Sequence, residues 1–445
     1  MSLTLKQHYF KGGTHPHPDG KELSNDKPAT VAPLLDKYIV ALQQNIGAPP
    51  KLIVKKSDLV KKGQLIAEAG GFVSVPLHSP TSGTVGDLVE IPGANGAIIQ
   101  AVEIIADGLD EWGSPLTPIP DWKNTDREIL KKRVADAGIV GMGGAAFPAH
   151  VKLSPPPEKD IDILILNGAE CEPYLTADHR LMLERPDAVL TGIEILAKIL
   201  KVKQVFIGIE NNKADAIKVL CSRMGKRDIQ IMPLEVRYPQ GAEKQLIYAV
   251  SGREVVAGGL PMDVGCVVQN IGSCAAVYDA VVHGYPLIER YTTITGTSVK
   301  NPSNWIVRIG TPFEKALSFA GGVTCDPAKL IAGGPMMGFA QATMNSTVMK
   351  NTSGLLLLKK SETACFTSQP CIRCGRCVDA CPMKLLPSQI SIMAENERYQ
   401  DAEKAFVMDC IECGVCTYVC PAKRPLVQHF RRAKAEITAI RKANR

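Results

Sequence analysis

The spacing of apolar positions changes character several times along the chain. From about residue 41 to 108, short alternating runs separated by glycines predict β-strands. They form two half-repeats, Ile53–Ile66 and Val75–Val89, which suggest a small β-sandwich or barrel. From about 125 to 275, strand-like and helix-like periods alternate. The pattern predicts helices over Arg127–Ala137, Asp178–Leu200, Lys213–Met224 and Ala242–Val250. It predicts strands over Asp162–Leu166, Gln204–Ile209 and Ile229–Val236. Strands alternating with helices imply an α/β unit with a mostly parallel sheet, whose ligands bind outside the carboxyl ends of the strands.

From about 276 to 350 the chain turns Gly/Pro-rich, with short strands at Thr292–Thr297 and Ile306–Ile309 and a dense turn over Gly333–Gly338. A small α+β or β-grasp-like domain fits. Residues 360–445 read as helical. The barrel segment resembles a lipoyl-like barrel-sandwich, whose hairpin tip carries a modified lysine. Here the tip is Glu68-Ala69-Gly70-Gly71-Phe72, without lysine, so a structural or docking module is expected.

Length and composition bound the function. A chain of 445 residues holds about three domains, or four if some are small. Hydrophobic residues at 45% and charged residues at 22% exclude disorder, collagen and coiled coil. A net charge of +6 is too small to argue for nucleic acid. No apolar run reaches the ~18–20 residues of a membrane span. Met1–Lys11 has no signal-peptide core. A cytoplasmic protein is expected, reaching a membrane only through partners or a surface segment. His8, His15 and His17 lie close together near the start. Prolines flanking His17 favour an extended arm over a metal site.

Eight of the 14 cysteines fall between Cys371 and Cys420. Cys371-x-x-Cys374-x-x-Cys377-x-x-x-Cys381-Pro is one run, and Cys410-x-x-Cys413-x-x-Cys416-x-x-x-Cys420-Pro the second. Two such runs are the signature of a two-cluster [4Fe–4S] module, in which each fourth cysteine crosses to the other cluster. The spacing assigns Cys371, Cys374, Cys377 and Cys420 to one cluster. It assigns Cys381, Cys410, Cys413 and Cys416 to the other. Zinc sites use separated Cys pairs, so zinc fits poorly. The remaining cysteines (171, 221, 266, 274, 325, 365) show no ligand spacing.

Gly141-Met-Gly143-Gly144-Ala-Ala146-Phe147-Pro148 partly matches G-x-G-x-x-A. A helical stretch precedes it and Pro148 follows, so the dinucleotide fingerprint fails its context. What remains is a backbone able to approach a planar or phosphorylated ligand, or a tight turn. The strand over Asp162–Leu166 runs into Asn167-Gly168-Ala169-Glu170-Cys171-Glu172-Pro173, where polar groups suit a site and suit solvated loop charges equally. The strand over Ile229–Val236 leads through Tyr238-Pro239-Gln240-Gly241-Ala242-Glu243 to a helix start, which is an anion site or a simple cap.

With these residues in view, the chain resembles the C subunits of the Rnf (Rsx) ion-translocating oxidoreductase complexes. Gly12–Pro16, Gln44–Pro49, Gly141–Lys152, Asn167–Pro173, Gly333–Gly338 and both cysteine runs carry the resemblance. It implies a multidomain α/β and α+β fold. Residues 1–40 would be an arm, 41–110 the barrel-sandwich, and 120–275 a domain similar to the FMN- and NADH-binding flavin subunit of respiratory complex I. Residues 276–350 would be an SLBB-like β-grasp domain, 360–425 the α-helical two-cluster ferredoxin domain, and 426–445 a basic tail. It also implies FMN and NAD(H) contacts at Gly141, Gly143, Gly144, Phe147, Lys152, Asn167, Glu170, Gly241, Glu243 and Asn270. Ala169 and Ala242 stand where complex I has acidic residues.

The function so implied is electron exchange between NAD(H), FMN and two [4Fe–4S] clusters. It would occur in a peripheral subunit, partnered by other Rnf subunits, on the cytoplasmic face of a bacterial membrane. No catalytic acid or base is needed, since the cofactor carries the chemistry. A soluble reductase resembling the cobalamin reductases, or a purely ferredoxin-type carrier, are the alternatives. The basic tail from Lys423, with Leu426, Val427, Phe430 and Ile437 as an apolar stripe, reads as a solvated helix or as a docking element for membrane partners.

Overall fold

The computed structural model describes residues 8–93, 96–113, 116–324, 327–363 and 367–443. Cys325, Cys365, Arg445 and the first seven residues lie outside them.

The central segment builds a parallel sheet from β1 (Ile163–Asn167), β2 (Gln204–Glu210), β3 (Gln230–Leu234) and β4 (Cys266–Asn270), in the order β3-β2-β1-β4. Helices cover both faces, which is why Ile163–Leu166 is buried without alternation. The chain steps outward from β1 to β2 to β3, then returns to place β4 on the other side of β1. The reversal of order therefore falls between β1 and β4. The register sets Asn167 beside Asn270 at their carboxyl ends.

The helix expected over Asp178–Leu200 is two helices, Ala177–Glu184 and Pro186–Leu200. Pro186 has no N–H to donate and disfavours helical geometry at Arg185, whose φ is −128°. It opens the second helix at the position where a missing donor costs nothing. That helix buries Val189, Ile193, Leu196 and Ile199 against Ile271–Tyr278. A Cβ at Gly192 would come within 1.9 Å of the Cys274 carbonyl, so only glycine allows this crossing.

The barrel segment pairs Lys37–Ala41, Ile98–Ala106, Gly83–Pro92 and Leu59–Val60 in one sheet. Lys51–Leu52, Leu65–Glu68 and Leu77–His78 form the other. Tyr38, Val40, Ile66, Leu77, Val85 and Ile104 fill the space between. The next domain is a six-stranded sheet with the helix Phe313–Phe319. Gly354–Lys359 is one of its inner strands, and Thr30–Val31 from the arm forms its edge. The sheet thus takes strands from either side of the segment between 276 and 350.

The last segment packs Pro387–Glu395, Tyr399–Lys404 and Leu426–Ala443 around one core. Leu426, Val427, Phe430 and Ile437 belong to that core, so the apolar stripe of the tail is not a free docking face. Four of its cations are paired within the domain: Arg431 and Lys434 with Glu412, Arg432 with Glu397, and Arg441 with Glu403. No helix among the described residues is long and apolar enough to cross a membrane.

Candidate functional site

Open α/β sheets bind ligands where the strand order reverses, because adjacent loops there part in opposite directions. Asn167 and Asn270 end the two strands that flank this point. The glycine loop lies over them. Gly141 N–H donates to the Phe147 carbonyl at 2.8 Å, closing the loop. Ser273 accepts from Met142 N–H at 3.1 Å and donates to the Val140 carbonyl at 2.8 Å, tying it to the helix after β4. Gly143, Gly144 and Ala145 are exposed. A Cβ at Gly143 would sit 3.4 Å from the Asn270 amide nitrogen, while one at Gly144 would meet nothing within 4 Å. This bare backbone fits a group that needs close main-chain approach.

The other expected residues gather at this end of the sheet. Asn167 donates to the Gly241 carbonyl at 2.8 Å. Lys152 donates to Glu243 at 2.5 Å and to the Val268 carbonyl at 3.0 Å. Two of the set act through helices. Both Glu170 oxygens accept N–H groups that open the helix Ala177–Glu184, from Asp178 at 2.7 Å and His179 at 3.1 Å. Asn270 caps the helix after β4 through Gly272 N–H and donates to Asp178 at 2.6 Å. Burial, reinforced by the Glu170 charge, lifts Asp178 well above the usual carboxylate range.

Three buried lysines hold these loops. Lys21 donates to the carbonyls of Glu170, Glu172 and Leu175. Lys213 donates to the Ala169 carbonyl. Lys350 donates to the carbonyls of Pro76 and Gly138, joining the barrel to the segment before the glycine loop. Asn351 reaches the Gly144 carbonyl at 2.9 Å and Arg290 the Met142 carbonyl at 3.3 Å. None has a local sequence signal, because a lone lysine reads as solvated.

The cysteines form two separate groups. Cys371, Cys374, Cys377 and Cys420 line one cavity of about 370 Å³, its open mouth included, with Arg373, Gly375 and Ser388. Cys381 is close enough to influence Cys410, Cys413 and Cys416 electrostatically, and these three influence one another. Among the described residues, no three His, Cys, Asp or Glu side chains converge on a single-ion point. Four sulfurs around a void suit a cluster better than one zinc ion. Backbone N–H groups already point at sulfur, from Leu385 to Cys381 at 3.4 Å and from Glu412 to Cys410 at 3.3 Å. Burial pushes the Cys413 thiol up to about 12, so a bound cation is needed to hold the thiolate. His15 and His17 stack edge to face with each other, and His8 lies on the Ala249 carbonyl.

One junction has no signal in the local sequence. The Tyr238 hydroxyl donates to the Cys413 carbonyl at 2.7 Å from a buried position. Three residues on, Gly241 N–H donates to the Cys171 sulfur at 3.2 Å. Glu172 accepts from Met337 N–H at 2.6 Å and Met336 N–H at 3.2 Å, tying the Gly333–Gly338 turn to the strand-end loop. The path from β1 to the second cysteine run is therefore packed throughout.

A ligand-binding α/β domain joined to a two-cluster module defines an electron-transfer oxidoreductase component. Family models match in the same order. The RnfC barrel sandwich hybrid domain matches residues 8–109, the Nuo51 FMN-binding domain 134–279, the SLBB domain 291–340, and a 4Fe-4S dicluster domain 370–423. The chain is 50% identical to the C subunit of the proton-translocating ferredoxin:NAD(+) oxidoreductase complex of Clostridium ljungdahlii, over 96% of this chain and 93% of that one. It is 46% identical over 99% of both chains to the C subunit of the Na(+)-translocating ferredoxin:NAD(+) oxidoreductase complex of Acetobacterium woodii. To the C subunit of the ion-translocating oxidoreductase complex of Pseudomonas aeruginosa it is 45% identical, covering 97% of this chain and 56% of that one. The chain belongs to the RnfC family, the C subunits of the ion-translocating (Rnf) oxidoreductase complexes. An NAD+-reducing [NiFe]-hydrogenase shares the fold, with a TM-score of 0.53 and 17% identity over 72% of this chain and 65% of that one.

Proposed function

We propose that the chain exchanges electrons between NAD(H), FMN and two [4Fe–4S] clusters. It does so as the peripheral RnfC component of a membrane-bound ion-translocating ferredoxin:NAD oxidoreductase, on the cytoplasmic face. The observation that carries this reading is the glycine loop over the Asn167–Asn270 switch point, joined by a packed junction to the second of two four-cysteine groups. The domain limits proposed are 120–275 for the flavin domain, 37–110 for the barrel-sandwich, 276–359 together with Thr30–Val31 for the SLBB-like domain, and 360–443 for the clusters. The narrower limits 41–110, 276–350 and 360–425 cut through the sheets and the helical core.

Gly141, Gly143, Gly144 and Phe147 would present the loop backbone and an aromatic wall to FMN and the nicotinamide. Lys152 would supply positive charge, shared with Glu243. Asn167 would fix Gly241, and Glu170 and Asn270 would orient the site by capping its helices. Cys371, Cys374, Cys377 and Cys420 would hold one cluster, and Cys381, Cys410, Cys413 and Cys416 the other. When bound, the flavin converts hydride transfer into single-electron transfer that the clusters can accept. The protein's own part is to place these groups and exclude water, so no side chain is assigned as acid or base.

The test is an anaerobic NADH titration of reconstituted chain with added FMN, followed by absorbance and EPR. Flavin bleaching followed by reduced-cluster signals is expected. Clusters present with FMN neither bound nor bleached would refute the flavin reading and leave a ferredoxin-type carrier.

A further inference from the structure

The cluster module is an internal duplication. A shift of 39 residues carries Cys371, Cys374, Cys377 and Cys381 onto Cys410, Cys413, Cys416 and Cys420. The backbone repeats with it. Arg373, Gly375 and Lys384 have φ of 55°, 80° and 55°; Glu412, Gly414 and Lys423 have 56°, 82° and 53°. Matching loops should have matching exposure unless their neighbours differ.

They differ sharply. On the second loop Cys413 is buried, and a Cβ at Gly414 would lie 2.8 Å from the Met336 carbonyl. Ile411 packs there with Tyr238, Cys171 and Met336. On the first loop Cys374 is exposed, a Cβ at Gly375 would meet nothing within 4 Å, and Ile372 is 67% exposed. The charges diverge too. Arg373 stands where the second loop has Glu412, and Arg376 where it has Val415. Glu412 is held by Arg431 and Lys434. Among the described residues, neither Arg373 nor Arg376 has an acidic partner.

We propose that the Ile372–Arg376 loop is the docking surface for an acidic redox protein, which covers it as the flavin and SLBB-like domains cover its twin. The inference rests on the cluster assignment made under the proposed function. Ile372 supplies the apolar centre and the two arginines a steering rim. Docking brings the partner's redox centre against the site of Cys371, Cys374, Cys377 and Cys420. One electron then crosses from the reduced centre to the oxidised one, with no bond made and no proton moved.

The test mixes dithionite-reduced, desalted plant-type ferredoxin, an acidic probe, with oxidised holo chain by stopped flow. The second-order rate should fall steeply with ionic strength. Arg373→Glu with Arg376→Glu should lower it about tenfold at low salt and flatten the salt dependence. Ile372→Ala should lower it several-fold while leaving the salt slope intact. EPR and iron content establish that both clusters remain in each variant. NADH bleaching of FMN, read separately in each variant, reports the flavin site alone. Wild-type rates in both variants with clusters intact would overturn the docking surface, as would a wild-type rate that does not fall with ionic strength. Failure of NADH to bleach FMN in the wild-type chain would refute the flavin reading instead, leaving the ferredoxin rates to decide the surface.

Discussion

Tyr238→Phe isolates the junction between the α/β domain and the second cysteine run. The ring is retained, so packing against Cys413 and Val415 survives and no cavity opens. Only the hydroxyl is lost, with its 2.7 Å bond to the Cys413 carbonyl. Tyr238 is 2% exposed, so water does not replace it. A buried acceptor stripped of its donor costs about 1–3 kcal/mol. One to two kcal/mol is a factor of about 5–30 in an opening equilibrium. The cost falls on the loop of the second cysteine run, whose Cys413 carbonyl is the acceptor of this hydroxyl. The assay is iron release to a strong chelator from the reconstituted chain, with each cluster followed by its EPR signal. The expected outcome is loss of the cluster at Cys381, Cys410, Cys413 and Cys416 about 5–30 times faster, with the other near its wild-type rate. Equal acceleration of both would indicate general destabilisation, and no acceleration would mean the bond carries nothing; either refutes the reasoning.

Three further outcomes follow from the geometry. Gly143→Ala puts a Cβ 3.4 Å from the Asn270 amide, which the fold tolerates, but it fills the face offered to the ligand. FMN affinity, read by quenching of flavin fluorescence, should fall about tenfold or more with the melting temperature nearly unchanged; unchanged affinity would place the flavin elsewhere. Cys374→Ser should remove one cluster, leaving about half the iron and the EPR signal of the other, and loss of both would contradict two separate ligand sets. Glu172, lifted to about 7 by burial, keeps a proton in the folded state that the unfolded chain has already released. Stability should therefore fall as pH rises from the ordinary carboxylate range to about 7, then level off. Glu172→Gln should flatten that slope in thermal unfolding, and an identical slope in the variant would assign it to other groups.

The sequence alone was enough for whatever depends on local spacing. Three cysteines with two residues between neighbours can hold three corners of one cubane from a single loop, so the two cysteine runs are legible directly. Apolar periodicity gives the alternating strands and helices, because each element must bury one face or stripe. The break at Pro186 has its signal in a single proline, which the continuous apolar period on either side conceals. The family resemblance supplied the candidate site residues that spacing could not.

What tertiary structure decided is nonlocal. Glu170 and Asn270 look like ligand groups in sequence, yet both are committed to helix starts, and only the fold shows which N–H groups they meet. Lys21, Lys213 and Lys350 bind carbonyls far away along the chain, and no pattern near them distinguishes a buried lysine from a solvated one. The tail reads as a basic amphipathic helix because sequence records charge but not the acid across the gap; Glu412, Glu397 and Glu403 complete it. The two cysteine loops are near-copies in spacing and in backbone angle. Only docking of one against Tyr238 and Met336 leaves the other bare, because exposure is a property of neighbours and not of the loop itself.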